Sequence, residues 1–147
     1  EAEPKGVPRT HNHWLSIAYT TVDGAGLQAG DVLLNPFPLV NMSGIGGMLV
    51  PWLITGGTLV MHHPLNLGLF LQQIKAEHVN YTVAPPVLLN MLLLNPSLLA
   101  ATDLSSLRCI GSGSAPIGRR YWRSNAASWL SSSEYGPASH ARETTPR

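Results

Sequence analysis

Charged side chains are scarce in this sequence: Asp, Glu, Lys and Arg together make up 12% of its 147 residues. That share is about half of what is usual for a soluble domain. The formal net charge is only +1, and lysine occurs only at Lys5 and Lys75. Without a broad basic surface, the composition argues against a protein that binds nucleic acid.

Cysteine is also rare, because Cys109 is the one cysteine in the sequence. A single cysteine excludes an intrachain disulfide bond and a zinc site built from several cysteines. Such cysteine usage fits a reducing compartment. We therefore expect a cytoplasmic location.

No charged side chain occurs between Asp31 and Lys75. Residues 39–61 lie within this stretch, and they are numerous enough for a membrane-spanning helix, which needs about 20 mainly apolar residues. Several glycines and Pro51 interrupt the window, however, and two histidines follow it. Buried parallel strands also give nearly continuous apolar runs. We favour a buried core and keep a membrane span as the less favoured alternative.

What the sequence does contain is an alternation of short apolar runs and helical patterns from Gly30 onward. Buried strands are predicted in four segments, each with an apolar run of strand length: GDVLLNPFP, TLVMHHP, VNYTVAPP and LRCIGSGSAPIG. Pro36 and Pro38 stop the first run, and the last run leads into a glycine- and serine-rich turn. The segments between them place apolar residues at helical spacing, with Ser43 and Asn66 as candidate N-caps and Pro86 in a first turn. This alternation predicts an α/β fold with a partial, mostly parallel sheet of repeated βα units flanked by helices.

Polar residues follow the predicted strands, at the sheet edge where α/β proteins bind ligands. Asn41 follows the first strand, and its amide can donate and accept hydrogen bonds. From the spacing alone, a helix-initiating turn is favoured over a ligand-binding role at this position. His62 and His63 lie at the end of the second strand. Adjacent side chains leave a strand on opposite faces, so we expect these histidines to face solvent rather than share a metal ion. We interpret His11 and His13 in the same way.

A further polar segment, GSGSAP at residues 111–116, follows the last predicted strand. Glycines let the backbone approach a ligand closely, and successive N–H groups can bind an anion. The segment departs from a dinucleotide-binding fingerprint, because Pro116 stands where the last glycine would be. Locally, a ligand-binding loop and a flexible turn both fit the pattern.

Taken together, these segments resemble the motifs of the AMP-forming acyl-CoA synthetase and ligase superfamily, the adenylate-forming enzymes. The similarity runs from residue 3 to residue 118. PRTHN in particular is similar to the branch that activates aryl acids. In family order, the matching segments are EPKGV at residues 3–7, PRTHN at 8–12, PLVN at 38–41, GGTLV at 56–60 and GSGSAP at 111–116.

The resemblance implies an enzyme that uses ATP and Mg²⁺ to convert a carboxylic acid to an acyl-adenylate. The acyl group then passes to coenzyme A or to a carrier thiol. The acid is an aryl or a medium-chain acyl compound, and neither a catalytic residue nor a metal ligand is assigned. The residues implied at the ligand site are Lys5 and Gly6 in the phosphate loop, Asn41 on the acyl side, and Gly113, Ser114, Ala115 and Pro116 beside the adenine.

The same resemblance predicts the domain organisation. We expect residues 1–118 to be part of the N-terminal AMP-binding domain of such an enzyme, and residues 119–147 to be a divergent, disordered tail. The front of the family's phosphate loop, its magnesium-binding glutamate and its C-terminal lysine find no match. We therefore expect an inactive fragment of a ligase. The alternative is a non-catalytic α/β fragment that binds a nucleotide or self-associates through uncovered apolar surface.

Overall fold

The computed structural model describes Glu3 and residues 6–113. A 4-stranded sheet with the spatial order β2-β1-β3-β4 forms its centre, and every neighbouring pair of strands is parallel. The predicted α/β fold with a mostly parallel sheet is confirmed. The predicted tail, residues 119–147, lies outside the described residues, as does the domain boundary. The strands are β1 (Val32–Asn35), β2 (Thr58–Met61), β3 (Tyr81–Val83) and β4 (Cys109–Gly111).

Helices connect each strand to the next in the chain. A helix precedes the sheet, a compound helical segment with a π-helical turn joins β1 to β2, one helix joins β2 to β3, and two short helices join β3 to β4. In chain order, the helical elements are α1 (His11–Ala25), α2 (Met42–Gly44), the π turn (Ile45–Leu49), α3 (Val50–Thr55), α4 (Leu67–Ala76), α5 (Pro86–Leu93) and α6 (Pro96–Ala100).

Residues 39–61, the candidate membrane span, contain α2, the π turn, α3 and β2. Within the part of the chain that the structure describes, no helix has the length and apolarity needed to cross a bilayer.

The N-terminal helix α1 was not foreseen from the sequence. It begins with a capping box, in which Thr10 Oγ1 accepts a hydrogen bond from His13 N at 3.3 Å and His13 Nδ1 accepts one from Thr10 N at 3.2 Å. Ala18 is the one buried residue of α1. The apolar stripe of α1 is therefore too weak to indicate, from the sequence, a helix that packs on the core. His11 and His13 are exposed, as predicted.

Side-chain amides cap two of the other helices, α2 and α4. Asn41, not the predicted Ser43, caps α2, because Asn41 Oδ1 accepts a hydrogen bond from Gly44 N at 2.7 Å. The predicted cap Asn66 is confirmed for α4, with its Oδ1 at 2.9 Å from Leu69 N. Pro86 is the first residue of α5, where a missing N–H costs no hydrogen bond.

The core lies on both faces of the sheet. Leu33 and Tyr81 pack with Met48 of the π turn and with Leu27, which follows α1. The chain crosses from β1 to β2 in one direction and then from β2 back past β1 to β3 in the other direction. Because right-handed crossovers that run in opposite directions lie on opposite sides, α3 and α4 cover opposite faces of the sheet. The buried residues of α4 and α5 that fill the second part of the core are Phe70, Leu71, Ile74, Leu88, Leu89 and Leu92.

The amino ends of the strands are tied together at Asp31. Its buried carboxylate forms an ion pair with Arg108, just before β4, and accepts a hydrogen bond from Gln28 N at 2.8 Å. Its backbone oxygen accepts a hydrogen bond from Thr58 N, at the start of β2, at 3.1 Å. Gly57 lies directly against this group, because a Cβ at Gly57 would be 1.8 Å from the Asp31 oxygen. We call these contacts the Asp31 junction.

Asn80 extends the same connection to β3. Its Oδ1 accepts a hydrogen bond from Val32 N at 2.9 Å, and its Nδ2 donates one to Ser106 O at 3.3 Å. One side chain thus joins the starts of β1 and β3 to the loop before β4.

Replacing Gly57 with alanine is expected to lower the free energy of unfolding by about 2–3 kcal/mol, because the added Cβ can fit only if the strand ends move apart. The matched control is Gly24→Ala in α1, where a Cβ meets nothing within 4 Å. That change is expected to be neutral or to stabilise by up to about 1 kcal/mol. Urea unfolding followed by circular dichroism checks both values, and equal stability of the two variants would contradict the prediction.

Candidate functional site

The order of the strands creates a topological switch point between β1 and β3. From β1 the chain first goes to β2 on one side and later comes back to β3 on the other side. In open α/β sheets, ligands bind in the crevice outside the carboxyl ends of the strands at such a point. A ligand site is therefore expected among the residues that follow β1, β3 and β4.

An open cleft with a volume of about 230 Å³ lies at this edge of the sheet. Hydroxyl-bearing side chains and glycines dominate its wall, and none of the described lining residues is charged. The helical side contributes Thr21, Ser43 and Gly47; the sheet contributes Tyr81, Val83 and Gly111; and the loop after β4 contributes Ser112 and Gly113.

Glycines shape the helical wall of the cleft. A Cβ at Gly44 would be 2.3 Å from the backbone oxygen of Pro38, so α2 sits directly on the loop after β1. A Cβ at Gly46 would be 2.8 Å from Ile17 Cγ2, which shows how closely the π turn packs on α1. Gly47 faces Val83 with room for ordinary contact. The wall is therefore fixed by backbone packing rather than by long side chains.

Tyr81 forms the floor of the cleft. Its side chain is 4% exposed, and its hydroxyl reaches Gly111, where a Cβ would be 2.8 Å from Tyr81 Oη. Burial raises the pKa of the Tyr81 phenol, with Cys109 as a smaller cause, so the hydroxyl stays protonated at neutral pH. Burial likewise raises the pKa of the Cys109 thiol, which keeps it from reacting as a thiolate.

The predicted adenine-side loop begins at this cleft. Gly113 lines it, and a Cβ at Gly113 would have no atom of residues 6–113 within 4 Å, so its backbone is open to a ligand on the side of the described residues. Gly6, predicted in the phosphate loop, is exposed at the start of the chain. The other predicted residues lie outside the described residues, namely Lys5, Ser114, Ala115 and Pro116.

Asn41, the predicted acyl-side residue, uses its amide oxygen to cap α2. Asn41 is half-buried, whereas its neighbours Ser43 and Gly47 line the cleft. An acyl-side role for Asn41 stays a prediction.

Four cleft residues were not predicted from the sequence, namely Thr21, Ser43, Tyr81 and Val83. A signal for two of them was present, because Tyr81 and Val83 alternate on one face of a predicted strand. Their nearness to Gly111 depends on the pairing of β3 with β4, in which Val83 is the partner of Gly111. Thr21 belongs to a helix whose packing the sequence did not reveal.

The prediction that His62 faces solvent was wrong. His62 is 1% exposed and lies edge-on to Phe70, with 5.5 Å between the ring centroids. Its Nδ1 lies 2.6 Å from Gln73 Oε1, and its Nε2 accepts a hydrogen bond from Asn66 N at 3.0 Å. Gln73 of α4 and the N-cap residue Asn66 thus satisfy both ring nitrogens, which is why a histidine is stable at this buried position. His63 is exposed, as predicted.

Metal ligands do not converge in the part of the chain that the structure describes. No group of three or more His, Cys, Asp and Glu side chains there is arranged to hold an ion. Mg²⁺ is therefore not assigned to any of these residues.

Replacing His62 with alanine is expected to lower the free energy of unfolding by about 2–3 kcal/mol, because it removes buried hydrogen bonds and the contact with Phe70. The adjacent, exposed His63 is the matched control, and His63→Ala should change stability by less than about 0.5 kcal/mol. Urea unfolding measures both. Similar losses in the two variants would show that the contacts of His62 do not stabilise the fold.

Comparison with known proteins relates this arrangement to one family. The profile of the family described as "AMP-binding enzyme" matches residues 1–138. 4-Coumarate–CoA ligase 3 of Arabidopsis thaliana is 32% identical over 120 residues, which is 79% of this chain and 21% of that protein. Indoleacetate–CoA ligase of Aromatoleum aromaticum is 31% identical over 121 residues, which is 82% of this chain and 24% of that protein. The chain thus spans between a fifth and a quarter of the length of these two relatives.

Solved structures show the same fold. The N-terminal domain of FACL13 from Mycobacterium tuberculosis superposes with a TM-score of 0.76 at 25% identity and covers 86% of this chain and 32% of that one. The o-succinylbenzoate CoA synthetase of Bacillus subtilis, in complex with the acyl-adenylate intermediate OSB-AMP, gives a TM-score of 0.70 at 27% identity and covers 84% of this chain and 24% of that one.

Proposed function

The chain belongs to the AMP-binding enzyme family, and on this premise we propose that it is part of an AMP-forming acid–thiol ligase. The observation that supports this most strongly is the position of the GSGSAP segment. The family profile extends through it, and its described residues line the cleft at the switch point of the sheet. Residues 1–118 then belong to the AMP-binding domain of the ligase.

The proposed reaction has two steps, with ATP and coenzyme A as substrates. A carboxylate oxygen of the acid attacks the α-phosphorus of ATP, and pyrophosphate leaves as the acyl-adenylate forms. The sulfur of coenzyme A, or of a carrier thiol, then attacks the acyl carbon, and AMP leaves. Mg²⁺ is expected to accompany ATP, but the described residues offer it no ligand set, so no step is assigned to it.

The described residues contribute positioning to this reaction. The uncharged cleft next to Val83 suits the acyl part of the acid, and the open backbone at Gly113 lets the nucleotide approach at the mouth of the cleft. Lys5 and Gly6 are proposed near the phosphates, and Ser114, Ala115 and Pro116 beside the adenine. Aryl and medium-chain acids are both candidates; the relatives named for coumarate and indoleacetate favour aryl acids.

A second candidate function is a non-catalytic one, in which the chain binds a nucleotide or associates with another copy. Large apolar side chains of the described helices favour association, because Leu94 is 81% exposed, Leu53 63% and Val87 57%. A cytoplasmic location stays a prediction from the cysteine usage.

The proposal is tested by pyrophosphate exchange into ATP, measured with and without carboxylic acids on the complete natural protein that contains residues 1–147. Acid-dependent exchange is expected. ATP binding, measured by calorimetry, with no exchange for any acid would instead favour the non-catalytic candidate.

Replacing Gly113 with valine is expected to raise the KM for ATP about tenfold or more, because the side chain would fill space that the nucleotide needs. The unfolding midpoint should not change, since none of the described residues has an atom within 4 Å of the added Cβ. Exchange kinetics and urea unfolding are measured on the same variant. An unchanged KM would place the nucleotide elsewhere.

The acyl-side role of Asn41 can be separated from its capping role. Aspartate is as good an N-cap as asparagine, so Asn41→Asp should keep its stability, whereas Asn41→Ala should lose about 1 kcal/mol. If Asn41 borders the acyl group, the new charge of Asn41→Asp should raise the KM for the acid about tenfold. An unchanged KM would mean that Asn41 serves as a cap alone.

A further inference from the structure

We propose that Tyr81 is a specificity-determining residue whose phenol hydroxyl hydrogen-bonds an uncharged oxygen substituent, a hydroxyl or a carbonyl, on the acyl part of the acid. The inference rests on the proposed function and narrows its substrate class. Acids with a polar but uncharged substituent are preferred over acids with a plain hydrocarbon end.

The geometry of Tyr81 supports this role. Its ring packs in the core cluster with Leu33 and Met48, yet Tyr81 also lines the cleft. A buried tyrosine hydroxyl usually has a hydrogen-bond partner. Among residues 6–113, none of the side-chain hydrogen bonds involves Tyr81 Oη, although its neighbours Thr82 and Asn80 are both engaged. The hydroxyl is therefore free, within this part of the chain, to bond what enters the cleft.

Gly111 makes the hydroxyl accessible from the cleft. A Cβ at Gly111 would lie 2.8 Å from Tyr81 Oη and 3.4 Å from Val83 Cγ2, so any larger residue would press on the hydroxyl and shield it. Glycine at this register position leaves the hydroxyl at the surface of the cleft floor. The Tyr81–Gly111 pair is therefore what determines whether a ligand can reach the phenol.

The chemistry of the cleft selects the substituent. The phenol is neutral and can donate or accept a hydrogen bond. A hydrocarbon end would displace water from the hydroxyl without replacing its hydrogen bond, and affinity would be lost. A charged end would be desolvated beside lining residues that carry no charge in the described part of the cleft. A hydroxyl or carbonyl avoids both costs.

The test compares Tyr81→Phe with the parent on matched acids, using the complete natural protein that contains residues 1–147. The probes are cinnamate with its para-hydroxy derivative and octanoate with its ω-hydroxy derivative. Binding is measured by calorimetry and turnover by pyrophosphate exchange. For at least one pair, the parent should bind the hydroxylated acid more tightly than the plain one. Tyr81→Phe should weaken binding of the hydroxylated acid about tenfold and change binding of the plain acid less than about twofold.

The matched control is Tyr19→Phe, since Tyr19 is 52% exposed on α1 and does not line the cleft. Tyr19→Phe should leave the binding and turnover of both acids in each pair unchanged. A second variant, Gly111→Ala, keeps the phenol but crowds its hydroxyl, and it should reduce the preference for the hydroxylated acid in the same direction as Tyr81→Phe.

The outcomes separate this inference from the proposed function. Selective loss of binding in Tyr81→Phe supports the inference even if no acid promotes exchange, and in that case the ligase function fails alone. If plain and hydroxylated acids both promote exchange and Tyr81→Phe changes their exchange rates equally, the inference is overturned and the ligase function stands. Absence of binding by every probe also overturns it.

Discussion

The buried carboxylate of Asp31 is the constraint on which the rest of the sheet depends. A carboxylate removed from water is costly unless it is paired and hydrogen-bonded. Asp31 meets this condition by bringing Arg108 and Gln28 to one point, and its backbone oxygen binds Thr58. The start of β1 is thereby joined to β2 and to the segment before β4. At position 57, glycine is the one residue type that fits against this junction without moving it.

The contacts at the amino ends of the strands leave the carboxyl ends open, and the candidate site lies there. At that edge the chain has a switch point, and two close contacts require glycine: Gly44 of α2 packs on the loop after β1, and Gly46 of the π turn packs on α1. The packed junction lies at one end of the sheet and the open cleft of the candidate site lies at the other. A similar division is expected wherever a parallel sheet carries a site at its switch point.

Two buried polar side chains, His62 and Tyr81, differ in how the described residues satisfy their polar atoms. His62 has both ring nitrogens engaged by α4, so it stabilises the fold and has nothing left to offer a ligand. Tyr81 is nearly as buried, but its hydroxyl meets the open space beside Gly111. The two residues differ in their hydrogen-bond partners among the described residues and not in their burial.

The sequence by itself determined the α/β class, the strand positions, the Asn66 cap and the family, because these depend on local periodicity, capping chemistry and motifs in order. Tertiary structure alone decided which strands are neighbours and hence that Tyr81 reaches Gly111, since pairing depends on contacts between residues far apart in the chain. It also decided that His62 is buried, because helix α4 supplies its partners. Single-sequence patterns do not encode such long-range partners.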